Sequence, residues 1–197
     1  SNMAWLTGYD GWSFYVHQGV IVFHDADPIW WGRAMDDQGA LRTVWMDDAR
    51  VCAYPDQFVQ STVRHPMEHL AGMIHEHGFA KKRIGLELDN YYFSAKAYLV
   101  LKEMLPDADL VDATALVNRQ RTVKSNEEIA FMRKAARISE KIIDGIVARI
   151  EPGMRKTDLV AGIYADALRG SDEAWGDYPA IVPLLPSGSD AAAPHLT

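Results

Sequence analysis

The sequence predicts an α/β chain in two parts, and three observations carry that reading. The first stretch, to about Asp56, is β-like; between Pro66 and Asn118 short β-like runs alternate with helical ones; and from Ser125 a capped, periodic helix opens a third stretch. Alternating strands and helices imply a largely parallel sheet in the middle stretch, because parallel strands need a crossover. The boundary falls near Val123, giving domains at residues 1–122 and 123–197.

Each element has a local reason. Gly19-Val-Ile-Val-Phe23 is a short apolar run suited to a strand buried on both faces, Asp25-Ala-Asp27 a turn, and Pro28-Ile-Trp-Trp31 the return strand. Leu41 to Trp45 and Ala49 to Ala53 read as further strands. Pro66 to His77 reads as a helix, with Pro in its first turn and Gly78 as its stop. Arg83 to Leu88 follows as a strand, Ser94 as the cap of a helix to about Leu105, Asp109 to Val111 as a short strand, and Ala113 to Asn118 as a helical piece.

In the third stretch, Ser125-Asn-Glu-Glu128 has the form of a capping box. Ile129, Met132, Ala136, Ile143, Ile146 and Ile150 recur behind it at helical spacing until Glu151-Pro-Gly153 stops the run. A second helix is expected over about Thr157 to Arg169, ended by Gly170. Tyr178 to Pro186 is apolar but broken by Pro, which suits an edge strand or an extended wall.

Composition excludes several classes of function. A net charge of −7 argues against nucleic acid and acidic membrane as partners, since both reward clustered Lys and Arg. No apolar run approaches the length of a membrane span, and the first residues lack the pattern of a signal peptide. The single cysteine, Cys52, fits a reducing cytoplasm.

Four places are candidates for chemistry. His65, His69, His75 and His77 suggest a metal site, but His65 precedes Pro66 and His75 and His77 do not share a helix face, so a plain amphipathic helix is the better reading. Leu86-Glu-Leu-Asp89 ends a strand where ligands gather in open sheets, yet Asp89-Asn90 is as readily a turn. The aromatic stretch Trp5 to Tyr15 suits either an interface around a small ligand or packing on the sheet. His195 stands in a Gly/Ser/Ala-rich loop, and nothing local supplies its partner.

Three phrases carry a resemblance. Val123-Lys-Ser-Asn-Glu-Glu-Ile-Ala-Phe-Met-Arg-Lys-Ala-Ala136, Ile150-Glu-Pro-Gly-Met154 and Asn2-Met-Ala-Trp-Leu-Thr-Gly-Tyr9 are similar to phrases of the creatinase, prolidase and aminopeptidase P superfamily (M24). That resemblance implies a creatinase-type N-terminal domain, a mixed sheet with flanking helices, followed by the first part of an α+β "pita-bread" catalytic domain. Gly8 to His17, Asp89 to Ser94 and Gly176 to Leu184 look most like the ectoine-hydrolase branch, which implies opening of a cyclic amidine C–N bond to an N-acetylated diaminobutyrate. The family's opening helix and strand, and most of its catalytic half, are not in this sequence. It therefore resembles a fragment cut at both ends, expected to be inactive alone.

The resemblance also implies roles. His195 stands where the family's histidine faces the scissile group, so it is expected to hold substrate or shuttle a proton. The metallopeptidase branch adds two aspartates, a histidine and two glutamates for a dinuclear site; none of those positions lies in this sequence, so a divalent metal (Mn, Co or Zn) would depend on ligands beyond it. Family members are usually homodimers in which one N-terminal domain covers the other subunit's site, which makes Phe14, Tyr15 and His17 candidates for contacting a small-molecule substrate across the dimer. Trp12 to Gln18 holds no arginine of the kind that grips carboxylate in creatinase, and His17 is the polar replacement. The alternatives are an Xaa-Pro aminopeptidase or dipeptidase, and a non-catalytic pita-bread binding module.

Overall fold

Four adjacent residues, Ile29, Trp30, Trp31 and Gly32, are all buried in strand β2 (Ile29–Arg33), and the N-terminal unit is built on that strand. In a computed structural model that describes residues 1–13, 15–175, 178–193 and 195, the chain divides into a unit over Ser1–Thr122 and another over Val123–Thr197.

β2 is the middle of a three-stranded mixed sheet. Strand β1 (Gly19–Ile21) pairs with it antiparallel, Gly19 opposite Trp31 and Ile21 opposite Ile29. Strand β3 (Val51–Tyr54) pairs with it parallel, Trp30 opposite Val51 and Arg33 opposite Tyr54. Successive side chains on a strand point to opposite faces, so the two tryptophans serve different cores. Trp30 packs with Tyr9, Ala40 and Met46, beside helices α1 (Asn2–Thr7) and α2 (Asp37–Thr43). Trp31 packs with Ile29, Tyr54 and Phe58 against helices α3 (Pro66–Glu76) and α4 (Ala95–Met104), through Met67, Ala71, Ala97 and Leu101. Strands β4 (Arg83–Leu86) and β5 (Asp109–Asp112) form a separate parallel pair. Helix α5 (Leu116–Gln120) follows.

Several elements differ from the sequence reading. Gly19 to Phe23 is not a strand buried on both faces: only Gly19–Ile21 pairs, and at the sheet edge it is half-buried. Leu41 to Trp45 is not a strand; Leu41 to Thr43 close helix α2, the element that spans the crossover from β2 to parallel β3. Its first turn carries Asp37, where a negative charge complements the helix dipole. The first residues form α1, capped by Ser1, whose Oγ accepts from the Ala4 N–H at 3.2 Å. Among the described residues, 178–186 contain no strand.

In the second unit, Ser125 caps the 24-residue helix α6 (Asn126–Arg149). Its Oγ accepts from the Glu128 N–H at 3.1 Å, and Glu128 Oε2 accepts from the Ser125 N–H at 2.7 Å. Helix α7 (Lys156–Arg169) returns along α6 and ends at Gly170. Asp166, 6 % exposed, accepts from Arg149 and ties the two helices. A Cβ on Gly145 would lie 2.5 Å from Asp166 Oδ2, so the residue type there is set by this clasp. The predicted apolar stripe is only partly covered: Ile129 and Ile146 are half-buried, whereas Met132, Ile143 and Ile150 are exposed.

The sheet yields a stability test. Gly32 lies beneath the Trp30 indole, and an added Cβ would come within 2.5 Å of Trp30 Cζ2. Gly32→Ala is expected to destabilise the protein by about 1–3 kcal/mol through overpacking. Thermal unfolding should show the loss, with a changed near-UV tryptophan signal.

Candidate functional site

A hollow of about 220 Å³ opens where the loop before β1 meets the turn before α3. Two hydrogen bonds fix that loop, one of them from an arginine that Asp56 also holds. The Tyr54 hydroxyl donates to the His17 carbonyl at 2.7 Å. Arg33, at the end of β2, donates through Nε to Asp56 Oδ1 at 2.7 Å and through Nη1 to the Tyr15 hydroxyl at 3.1 Å. The Asp56 hydrogen bond raises the Arg33 pKa, so the guanidinium stays charged.

On the opposite side, the chain leaves a 3-10 turn at Asp56–Phe58, passes through Gln60 in left-handed backbone (φ 50°) and reaches His65, the N-cap of α3. His65 Nδ1 accepts from the Met67 N–H at 3.2 Å, and Glu68 Oε1 accepts from the His65 N–H at 2.8 Å. This reciprocal pair closes the first turn of α3. The signal in the sequence was His-Pro-x-Glu, a capping box with imidazole in place of a hydroxyl.

An N–H can only donate, so the cap requires His65 Nδ1 to be unprotonated. The same holds for His69, whose Nδ1 accepts from Trp31 Nε1–H at 3.2 Å. The His17 and His65 rings stand 4.9 Å apart. Burial lowers the pKa of His17, and the neighbouring His65 lowers it further. Burial and Lys96 lower that of His65 against the pull of Glu68; burial lowers that of His69 against Glu76.

The expected site residues are distributed as follows. Tyr15 and His17 both line the hollow, together with His65. Phe14 lies outside the described residues. His195 is exposed, in the second unit, beyond a 3-10 turn at Gly188–Ala192. The four histidines around α3 are not a metal cluster: His75 Nε2 lies 3.2 Å from the Met104 carbonyl and His77 Nδ1 2.9 Å from that of Met73. No group of three or more His, Cys, Asp or Glu among the described residues could hold a metal ion. Asn90 is a turn residue, its Oδ1 accepting from the Tyr92 N–H. The aromatic stretch divides: Tyr9 is buried against Trp30, whereas Trp5 and Trp12 are exposed. Ser61 and Arg64 also line the hollow and have no motif of their own in the sequence.

Residues 1–123 match the Creatinase/Prolidase N-terminal domain and residues 130–197 the Metallopeptidase family M24. The chain belongs to this family. It is 53 % identical over 203 residues to the ectoine hydrolase of Halomonas elongata, an alignment covering 100 % of this chain and 51 % of that protein. In fold it resembles the prolidase of Pyrococcus furiosus (TM-score 0.69, 17 % identity, 98 % of this chain and 49 % of that one). It also resembles a dipeptidase of Pyrococcus horikoshii (TM-score 0.63, 20 % identity, 87 % and 44 %). The chain spans about half the length of these curated relatives, the ectoine hydrolase and an uncharacterised hydrolase/peptidase of Sinorhizobium fredii.

The two acceptor histidines predict a pH dependence. Their folded pKa values lie below the usual imidazole value, so the unfolded chain takes up protons first as pH falls. Their contribution is complete above about pH 6.5 and declines as pH falls from there towards their lowered folded values. His65→Asn, which keeps a capping acceptor but cannot titrate, is expected to reduce the drop in Tm between pH 7.5 and 5.5. An unchanged drop would count against the assignment.

Proposed function

We propose, with membership of this family as the premise, that the whole protein is a C–N hydrolase that opens the ring of ectoine. The 53 % identity to an ectoine hydrolase along all of this chain carries the reading. In that reaction water adds to the amidine carbon, the tetrahedral carbon releases one ring nitrogen, and the product is N-acetyl-diaminobutyrate. The leaving nitrogen needs a proton as its bond to carbon breaks. An imidazole can take a proton from water and return it there, and His195 is the residue assigned to that work.

Phe14, Tyr15 and His17 are assigned to substrate binding across a homodimer, Phe14 on the sequence resemblance alone. His17 is supported by its place in the hollow and by burial and His65, which favour its neutral ring. A neutral imidazole can both donate and accept. Ligands for a divalent metal would come from outside this sequence, since no group of three or more His, Cys, Asp or Glu among the described residues could hold one. A cytoplasmic site of action is part of the same proposal; it fits the unpaired Cys52 and a chain in which no described helix is long and apolar enough to cross a membrane.

The test is proton NMR of the whole protein incubated with ectoine, following appearance of the N-acetyl product. Turnover of Xaa-Pro dipeptides without turnover of ectoine would replace this reading with a peptidase, and activity on neither would favour a binding module. His195→Ala is expected to lower kcat about 10²–10⁴-fold with KM little changed. His17→Ala is expected to raise KM with kcat little changed; an unchanged KM would remove it from the substrate site.

A further inference from the structure

We infer that the hollow between the Tyr15–His17 loop and the turn leading to Pro66 is a binding site for a small organic carboxylate. Its two sides differ in chemistry. Val16, Tyr54, Phe58, Val59 and Pro66 form an apolar wall, while His17, Ser61, Arg64 and His65 bring donors. No aspartate or glutamate is among its described lining residues.

The turn directs those donors. Ser61 Oγ accepts from the Val63 and Arg64 N–H groups at 3.3 and 3.1 Å, which leaves its hydroxyl hydrogen to donate. His65 accepts at Nδ1, so its neutral ring carries the proton on Nε2. The Arg64 guanidinium lies 5.2 Å from the Phe58 ring centroid and makes no ion pair among the described residues. Gln60 holds left-handed backbone immediately before Ser61, and strained non-glycine conformations of this kind gather at ligand-binding positions. The other charges facing His65 are Lys96 and Glu68, and Glu68 is engaged with the His65 N–H.

An oxyanion matches the donors and a short hydrocarbon body matches the wall. At water's share of about 30 Å³ each, the volume holds roughly seven non-hydrogen atoms. The inference shares His17 with the proposed substrate site and goes beyond it through Ser61, Arg64 and His65, which that reading does not use.

Isothermal titration calorimetry of the whole protein with 3-methylbutanoate, its amide and inorganic phosphate tests it. The carboxylate is expected to saturate one site at least about tenfold more tightly than the amide, because a guanidinium–carboxylate bond is charge-assisted. Phosphate, which leaves the apolar wall bare, should bind more weakly than the carboxylate. Arg64→Gln should bring the carboxylate to the level of the amide, and Ser61→Ala should weaken it about threefold. Equal binding of acid and amide, phosphate binding as tightly as the acid, no binding of the acid, or an unchanged affinity in Arg64→Gln would each overturn the site. Ectoine turnover is measured separately, so either conclusion can fail while the other stands.

Discussion

The tandem Trp30–Trp31 in β2 is the constraint on which the N-terminal unit depends. Because neighbours on a strand face opposite ways, two adjacent indoles require two separate apolar cores. Each core must then be covered. Around Trp30 the cover comes from Tyr9, Ala40 and Met46; around Trp31 it comes from α3 and α4. A one-residue shift in the pairing of β2 would exchange the two indoles between faces, so the strand register is strongly specified.

The hollow follows from the same sheet. Tyr54 lies opposite Arg33 in the β2–β3 pairing; one of them holds the His17 carbonyl and the other the Tyr15 hydroxyl. The far side is a helix start, where Pro66 needs no N–H partner and His65 serves as the acceptor. Structural need and chemical state are thereby joined. An imidazole that must accept a backbone N–H is held neutral, and it lies against His17, where a second positive charge would be unfavourable.

Much of the fold was legible from local chemistry. Ser125-Asn-Glu-Glu128 and Ser94 cap helices where expected, Gly170 ends α7, and Pro66 lies in the first turn of α3. The errors fell where tertiary context overrides a short pattern. Leu41 to Thr43 carries apolar and β-branched residues but becomes helical as part of a crossover, and Gly19–Ile21 was apolar enough for a central strand yet lies at an edge. Of the hollow, Tyr15 and His17 were legible through a resemblance. Ser61 and Arg64 were not, because an isolated serine and arginine carry no periodicity or spacing.

The sequence by itself determined the caps, the helix stops and the family, because each depends on residues that are neighbours along the chain or on phrases that survive as text. Only the tertiary structure decided which core each tryptophan enters, which histidines must remain neutral, and that residues 15–17 meet Ser61, Arg64 and His65 around one hollow. The reason is physical: register, burial and the direction of a hydrogen bond are relations between segments distant in sequence. Trp31 and His69 are 38 residues apart, and only folding brings an indole donor to an imidazole acceptor.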